Sequence, residues 1–236
     1  MLGGFSGLIR RYTAPFGYLA GLVVVSTIYA YALSPGRQRS FVAWASTNLD
    51  RLPVNPVGTL VVSAFVSEDS VIAWLIVGSL ALFPLARRFG NLRAVLLAGG
   101  AHVLGTLLSQ GLTAWRVSIG AVPDSVRGDA DVGPSYVVAA ALIAVILYGA
   151  DRRSRLLALA GWIALAPTLF EGLPALEVSG VGHFVSMVSG AMIGGAFVAR
   201  EASRRRRPAR PGAETRPAPA PAPAPAPEET PAPVPG

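Results

Sequence analysis

The sequence predicts an all-α membrane protein, a bundle of six membrane-spanning helices with an interfacial first loop. Three observations predict it. Hydrophobic residues make up 52% of the 236-residue chain and charged residues only 14%, where soluble domains carry about a quarter charged. Mean hydropathy is +0.51. The apolar residues gather in six runs, and arginines mark alternate connections between them. Lysine and cysteine are absent, so disulfides and thiolate chemistry are excluded. The net charge of +7 comes from arginines beside apolar runs; that placement is a topology signal and not a nucleic-acid footprint.

The runs are Ala14–Leu33, Ser70–Ala86, Ala94–Thr113, Ser135–Gly149, Leu156–Phe170 and Val181–Ala199. A crossing helix needs about 20 residues, and about 17 at the least. The fourth and fifth fall short, which a bundle tolerates when the short helix is enclosed by protein or ends in a water-filled cavity. The first run ends in Ala30-Tyr31-Ala32, a small-x-small pattern of the kind signal peptidase cuts. The run exceeds the roughly 7–15 residues of a signal core and is therefore read as a span. Arg10 and Arg11 precede the first span, Arg87, Arg88 and Arg93 follow the second, Arg152, Arg153 and Arg155 follow the fourth, and Arg200 with Arg204–Arg207 follow the sixth. The other loops are longer and mix Arg37, Arg39, Arg51, Arg116 and Arg127 with acids. The positive-inside rule then gives a multi-pass cell-membrane protein with both termini cytoplasmic.

The loop from Ser34 to Asp69 holds Phe41, Trp44, Leu52, Val57, Leu60, Val61 and Phe65. This apolar content predicts an amphipathic hairpin in the outer interface, with Trp44 as an anchor. Residues 1–203 form the membrane domain. Residues 204–236 read as an unfolded cytoplasmic tail, arginine-rich and then alternating Pro-Ala from Pro217 to Pro227; such a segment has too little apolar bulk to fold and favours polyproline II. Its arginines are placed to touch anionic headgroups.

Few polar groups enter the spans, and two of them fall at the same depth. Ser135 opens the fourth span in Gly133-Pro134-Ser135-Tyr136, and His183 lies near the start of the sixth in Gly182-His183-Phe184-Val185-Ser186. A serine and a histidine are the minimum for nucleophilic acyl transfer: imidazole takes the hydroxyl proton and returns it to the leaving amine. Serine is also common in membrane helices as a group bonded to its own backbone, so the pair alone does not decide the chemistry. His102, mid-way along the third span, reads as an interhelical packing group among Gly99, Gly100 and Gly105. Two histidines on separate spans do not make a metal site, and no cofactor or nucleic-acid partner is read from the chain.

These features together resemble the rhomboid intramembrane serine proteases, over roughly residues 8–200. That family has six spans, a large interfacial first loop, a Gly-x-Ser-Gly nucleophile motif opening the fourth span and a histidine base in the sixth, with small residues three and seven positions on. Here the small residues are Ser186 and Gly190, with Gly194 beyond. The resemblance implies Ser135 as nucleophile, His183 as base, transmembrane proteins as substrates and a lateral gate at the first loop and fifth span. It implies helix packing for Gly190 and Gly194, and oxyanion or support roles for Gly133, Tyr136 and Ser186. Three departures accompany it: Tyr136 replaces the motif's second glycine, Pro134 removes a backbone donor, and the second span, Val71–Gly78, lacks the family's His-x-x-x-Asn. Tyr136, Ser186, Ser189 or water are the available substitutes. Two readings stay open, a protease and a pseudoprotease that binds membrane helices. A small transporter is disfavoured, since the midplane carries almost no charge and no inverted repeat is visible.

Overall fold

The computed structural model describes residues 7, 9–68 and 70–206. These fold into helices, with no strand among the described residues. We label them α1 (Thr13–Thr27, continued by a π-helical turn over Ile28–Ala32), α2 (Pro35–Ala45), α3 (Pro56–Ser63), α4 (Val71–Phe89), α5 (Asn91–Ser118), α6 (Ser135–Tyr148), α7 (Arg152–Phe170) and α8 (Val178–Arg206). The Ala30-Tyr31-Ala32 pattern lies in the π-helical turn.

Among the described residues, α1 with its continuation, α4, α5 and α8 are long and apolar enough to cross a membrane. The remaining two expected spans are helices of a different kind. α6 is apolar but has only 14 residues. α7 has 19 residues and is less apolar, because Arg152, Arg153 and Arg155 lie inside its first turn and not in the preceding loop. Asp151 accounts for that early start: its carboxylate caps the helix by accepting the Ser154 N–H at 2.9 Å, a common way to satisfy the unpaired donors of a first turn.

α6 is the centre of the bundle. Val138, Ala139, Ala140, Ala141, Leu142 and Ala144 are fully buried, and α4, α5, α7 and α8 all pack against it. A helix that is apolar all round belongs inside a core, and one enclosed in this way is not held to a lipid-spanning length. Small residues make the enclosure tight. A side chain at Gly190 would meet Ala140 O at 2.6 Å and Ala140 Cα at 3.0 Å, and one at Gly194 would meet the Tyr148 ring at 2.7 Å. Both positions carry the packing of α8 against α6.

The end of the bundle that holds Arg10 and Arg206 is tied by ions. Glu201 on α8 accepts from Arg88 on α4 at 3.0 Å and from Arg93 on α5, while Arg88 Nε donates to Tyr148 O at 3.1 Å. Arg87 pairs with Asp151 at 3.2 Å. Helix α8 runs to Arg206, three residues beyond the expected domain boundary; residues 207–236, including the Pro-Ala stretch, lie outside the described residues.

The first loop folds as the short helices α2 and α3. Trp44 is partly exposed and stacks on Phe41 at 6.0 Å. The rest of the loop is not a free hairpin. Tyr18 donates to Ala64 O at 2.8 Å, and His102 Nε2 bonds Leu60 O at 2.9 Å. The loop is therefore fixed to α1 and α5.

Candidate active site

Ser135 is the first residue of α6, and the segment leading to it is held by the first loop. Asn48 donates to Gly128 O at 3.0 Å, the Thr47 N–H donates to Asp131 O at 3.0 Å, and the Asp131 N–H donates to Ser46 Oγ at 2.8 Å. The Gly133 N–H donates to Ser63 O at 2.9 Å. Gly133 adopts φ of 145°, a conformation that side chains strain, and Pro134 then enters the helix at φ of −72° with no side-chain cap. The first N–H groups of α6 accordingly point out of the helix start without a side-chain acceptor.

Asp131 is the hub of this region. Its Oδ2 accepts from the Thr47 hydroxyl at 2.9 Å and from Gln110 Nε2 at 3.2 Å, and its Oδ1 accepts from the Tyr136 hydroxyl at 3.1 Å. One carboxylate thus joins the first loop, α5 and α6. Charge-assisted bonds of this type are stronger than neutral ones, and here they set the position of the tyrosine beside Ser135.

Tyr136 in turn packs against His183 of α8. The two rings meet edge to face, with centroids 5.1 Å apart and planes at 89°. The approach needs Gly182, because a side chain there would overlap the tyrosine ring. The Tyr136 hydroxyl also has Val178 O at 3.2 Å. His183 is 4% exposed, and its Nδ1 is buried without a hydrogen-bond partner. An orphaned nitrogen of this kind is costly unless a ligand or water meets it.

Ser135 and His183 line one cavity of about 240 Å³, together with Asp131, Trp74, Thr168 and Ser179. No hydrogen bond joins them directly; the serine is half-buried and the imidazole buried. Ser135 also lines a second cavity of about 10 Å³ with Thr47, Ser63 and His102, room for about one water. His102 also lies near Tyr136, with ring centroids 5.8 Å apart. Its Nε2 is bonded to Leu60 O and lies 3.4 Å from Ser63 Oγ, so it links α5 to the first loop.

Of the residues expected to support the serine, Gly133 and Tyr136 stand beside it. Ser186 faces away: its hydroxyl donates to Ala101 O at 3.2 Å across the α5–α8 contact. The sequence reading places Asp131 among the loop acids and assigns it no site role. The available signal was an acid four residues before the serine, next to a tyrosine that the apolar run would bury. Among the described residues no group of histidines and acids could hold a metal ion.

A helical membrane bundle whose enclosed central helix opens with a serine, facing a histidine on the last helix, defines a class of protein by fold. The family model described as rhomboid-like protein matches residues 8–201, and the chain belongs to that family. No curated protein and no solved structure matches the chain.

Proposed function

We propose that this rhomboid-like membrane protein is an intramembrane serine endopeptidase. The observation that carries the reading is the shared cavity of Ser135 and His183. In this reading α1, α4, α5, α6, α7 and α8 cross the membrane, both termini are cytoplasmic, and the cavity opens to the outer side. Ser135 Oγ attacks the scissile carbonyl of a transmembrane substrate, and His183 takes the hydroxyl proton and gives it to the leaving amine. The oxyanion is met by the uncapped N–H groups at the start of α6, where the helix dipole also favours negative charge. Tyr136 backs the imidazole and Gly133 sets the serine. Water then releases the acyl group. The serine–histidine bond forms when substrate closes the cavity, since catalytic hydrogen bonds are commonly long in empty sites and tighten on binding. The first loop and α7 form the lateral gate.

A second reading, a pseudoprotease that holds membrane helices without cutting them, is favoured by specific observations. Val71–Gly78 carries neither the histidine nor the asparagine of the family's second span, and the Tyr136 and Ser186 hydroxyls are already bonded within the fold. Losing one oxyanion donor typically lowers turnover by about 10²–10³. The purified protein in liposomes, with a model substrate whose transmembrane helix is rich in glycine and alanine, separates the two. The protease reading expects cleavage by the parent and none by Ser135→Ala or His183→Ala. Stable capture of the uncut helix by parent and both variants alike rejects it and supports the pseudoprotease.

A further inference from the structure

An apolar cavity lies away from Ser135. It has a volume of about 480 Å³ and runs between α1, α3 and α5, with Tyr18, Leu60, Phe65, Gly99 and His102 among its walls. Its walls are almost wholly apolar, and the Tyr18 hydroxyl is already bonded to Ala64 O. Along α5 the cavity extends from Ala94 to Val103, about 14 Å at 1.5 Å per residue. That is the depth of one leaflet, about half of a 30 Å hydrocarbon core. Leu60 and Phe65, from the first loop, wall it where it reaches His102 and Val103, so it is a blind slot and not a passage.

The other end has a charged rim. Asn91 accepts the Ala14 N–H at 3.3 Å and donates to Arg11 O at 3.2 Å, which fixes the turn before α1 beside the mouth formed by Ala14 and Ala94. Arg10 and Arg11 are exposed there. The arginines on the neighbouring helices, Arg87, Arg88 and Arg93, are ion-paired with Asp151 or Glu201. Arg10 and Arg11 form no ion pair among the described residues, and the sequence before them contains no acid.

We propose that this slot binds one anionic phospholipid from the leaflet at the terminal end of the bundle. One acyl chain fills the slot, and the phosphate rests against Arg10 and Arg11. The leaflet-deep length and the exposed cations at the mouth, unpaired among the described residues, select a phospholipid over a partner helix, which would need a groove along the full membrane depth. The site does not depend on the chemistry assigned to Ser135.

Native mass spectrometry of the detergent-purified full chain tests it, with phosphatidylglycerol and phosphatidylcholine of identical chains. The proposal expects one phosphatidylglycerol retained under activation that removes phosphatidylcholine. Arg10→Gln with Arg11→Gln lowers the preference for the anionic lipid by about fivefold per arginine. A Cβ at Gly99 meets no atom within 4 Å, so Gly99→Leu is expected to fill the slot and remove the retained lipid, at an unchanged melting temperature. Equal retention of both lipids, or undiminished lipid on Gly99→Leu, overturns the proposal. So does a lipid-free dimer in the parent that Gly99→Leu dissociates.

Discussion

Asp131 holds together what the rest of the site depends on. Its two oxygens serve Thr47, Gln110 and Tyr136, so replacing it orphans donors on three elements. A hydrogen bond to a charged group contributes about 1.5–3 kcal/mol, and Asp131→Ala is expected to destabilise by at least that much in a thermal or denaturant melt. Asp131→Asn keeps the shape but turns one acceptor into a donor, and is expected to lie between parent and alanine. If Asp131 positions Tyr136 for the site, Asp131→Asn also slows acylation of Ser135 while leaving it detectable. Tyr136→Phe keeps the ring against His183 and removes only the hydroxyl; it is expected to keep more acylation than Tyr136→Ala. The serine and histidine were legible because polar groups are rare in apolar runs. Asp131 was not, because an acid in a long loop reads as solvated until the fold brings Thr47 and Gln110 to it.

At the scale of the elements, the small residues of α8 set how closely it approaches α6. Gly190→Leu would drive a side chain into the Ala140 backbone, which cannot yield as a flexible side chain would. Overpacking of this kind costs about 1–3 kcal/mol and is expected to appear as a lowered melting temperature. The start of α7 carries a pH-dependent contribution. The Ser154 backbone N–H, bonded to the Asp151 carboxylate, holds its pKa below the usual 3.8, and Arg87 adds to the effect. The stabilisation is fully present above that ordinary value and is lost as pH falls through the lower, folded value. Asp151→Asn is expected to flatten the acid limb of the stability profile. The spans were readable from hydropathy to within a few residues, apart from α5, which runs on to Ser118, α7, which begins four residues before its expected start, and α8, which continues to Arg206. Hydropathy marks where a helix is apolar, whereas a cap decides where it begins, and the Asp151 cap lies outside the apolar run.

At the scale of the whole molecule, the arginines have two roles. They follow the pattern that orients a membrane bundle, and Arg88 and Arg93 also converge on Glu201 to join α4, α5 and α8. Neutralising Glu201 is expected to loosen that end of the bundle while leaving Ser135 labelling intact, checked by a melt beside a labelling assay. The shortness of the fourth run allowed an enclosed helix, and α6 is enclosed by α4, α5, α7 and α8. The folding of the first loop could not, because its hydrogen bonds to residues 128–133 join segments about 80 residues apart in the chain.

The proposed chemistry requires His183 to activate Ser135 toward an acyl-type electrophile. A fluorophosphonate probe, with the modified peptide located by mass spectrometry, tests it most directly. A single adduct on Ser135 is expected, absent from Ser135→Ala and strongly reduced in His183→Ala, with all three proteins melting alike. A folded parent that takes no label, or a label on Ser135 that persists undiminished in His183→Ala, contradicts it.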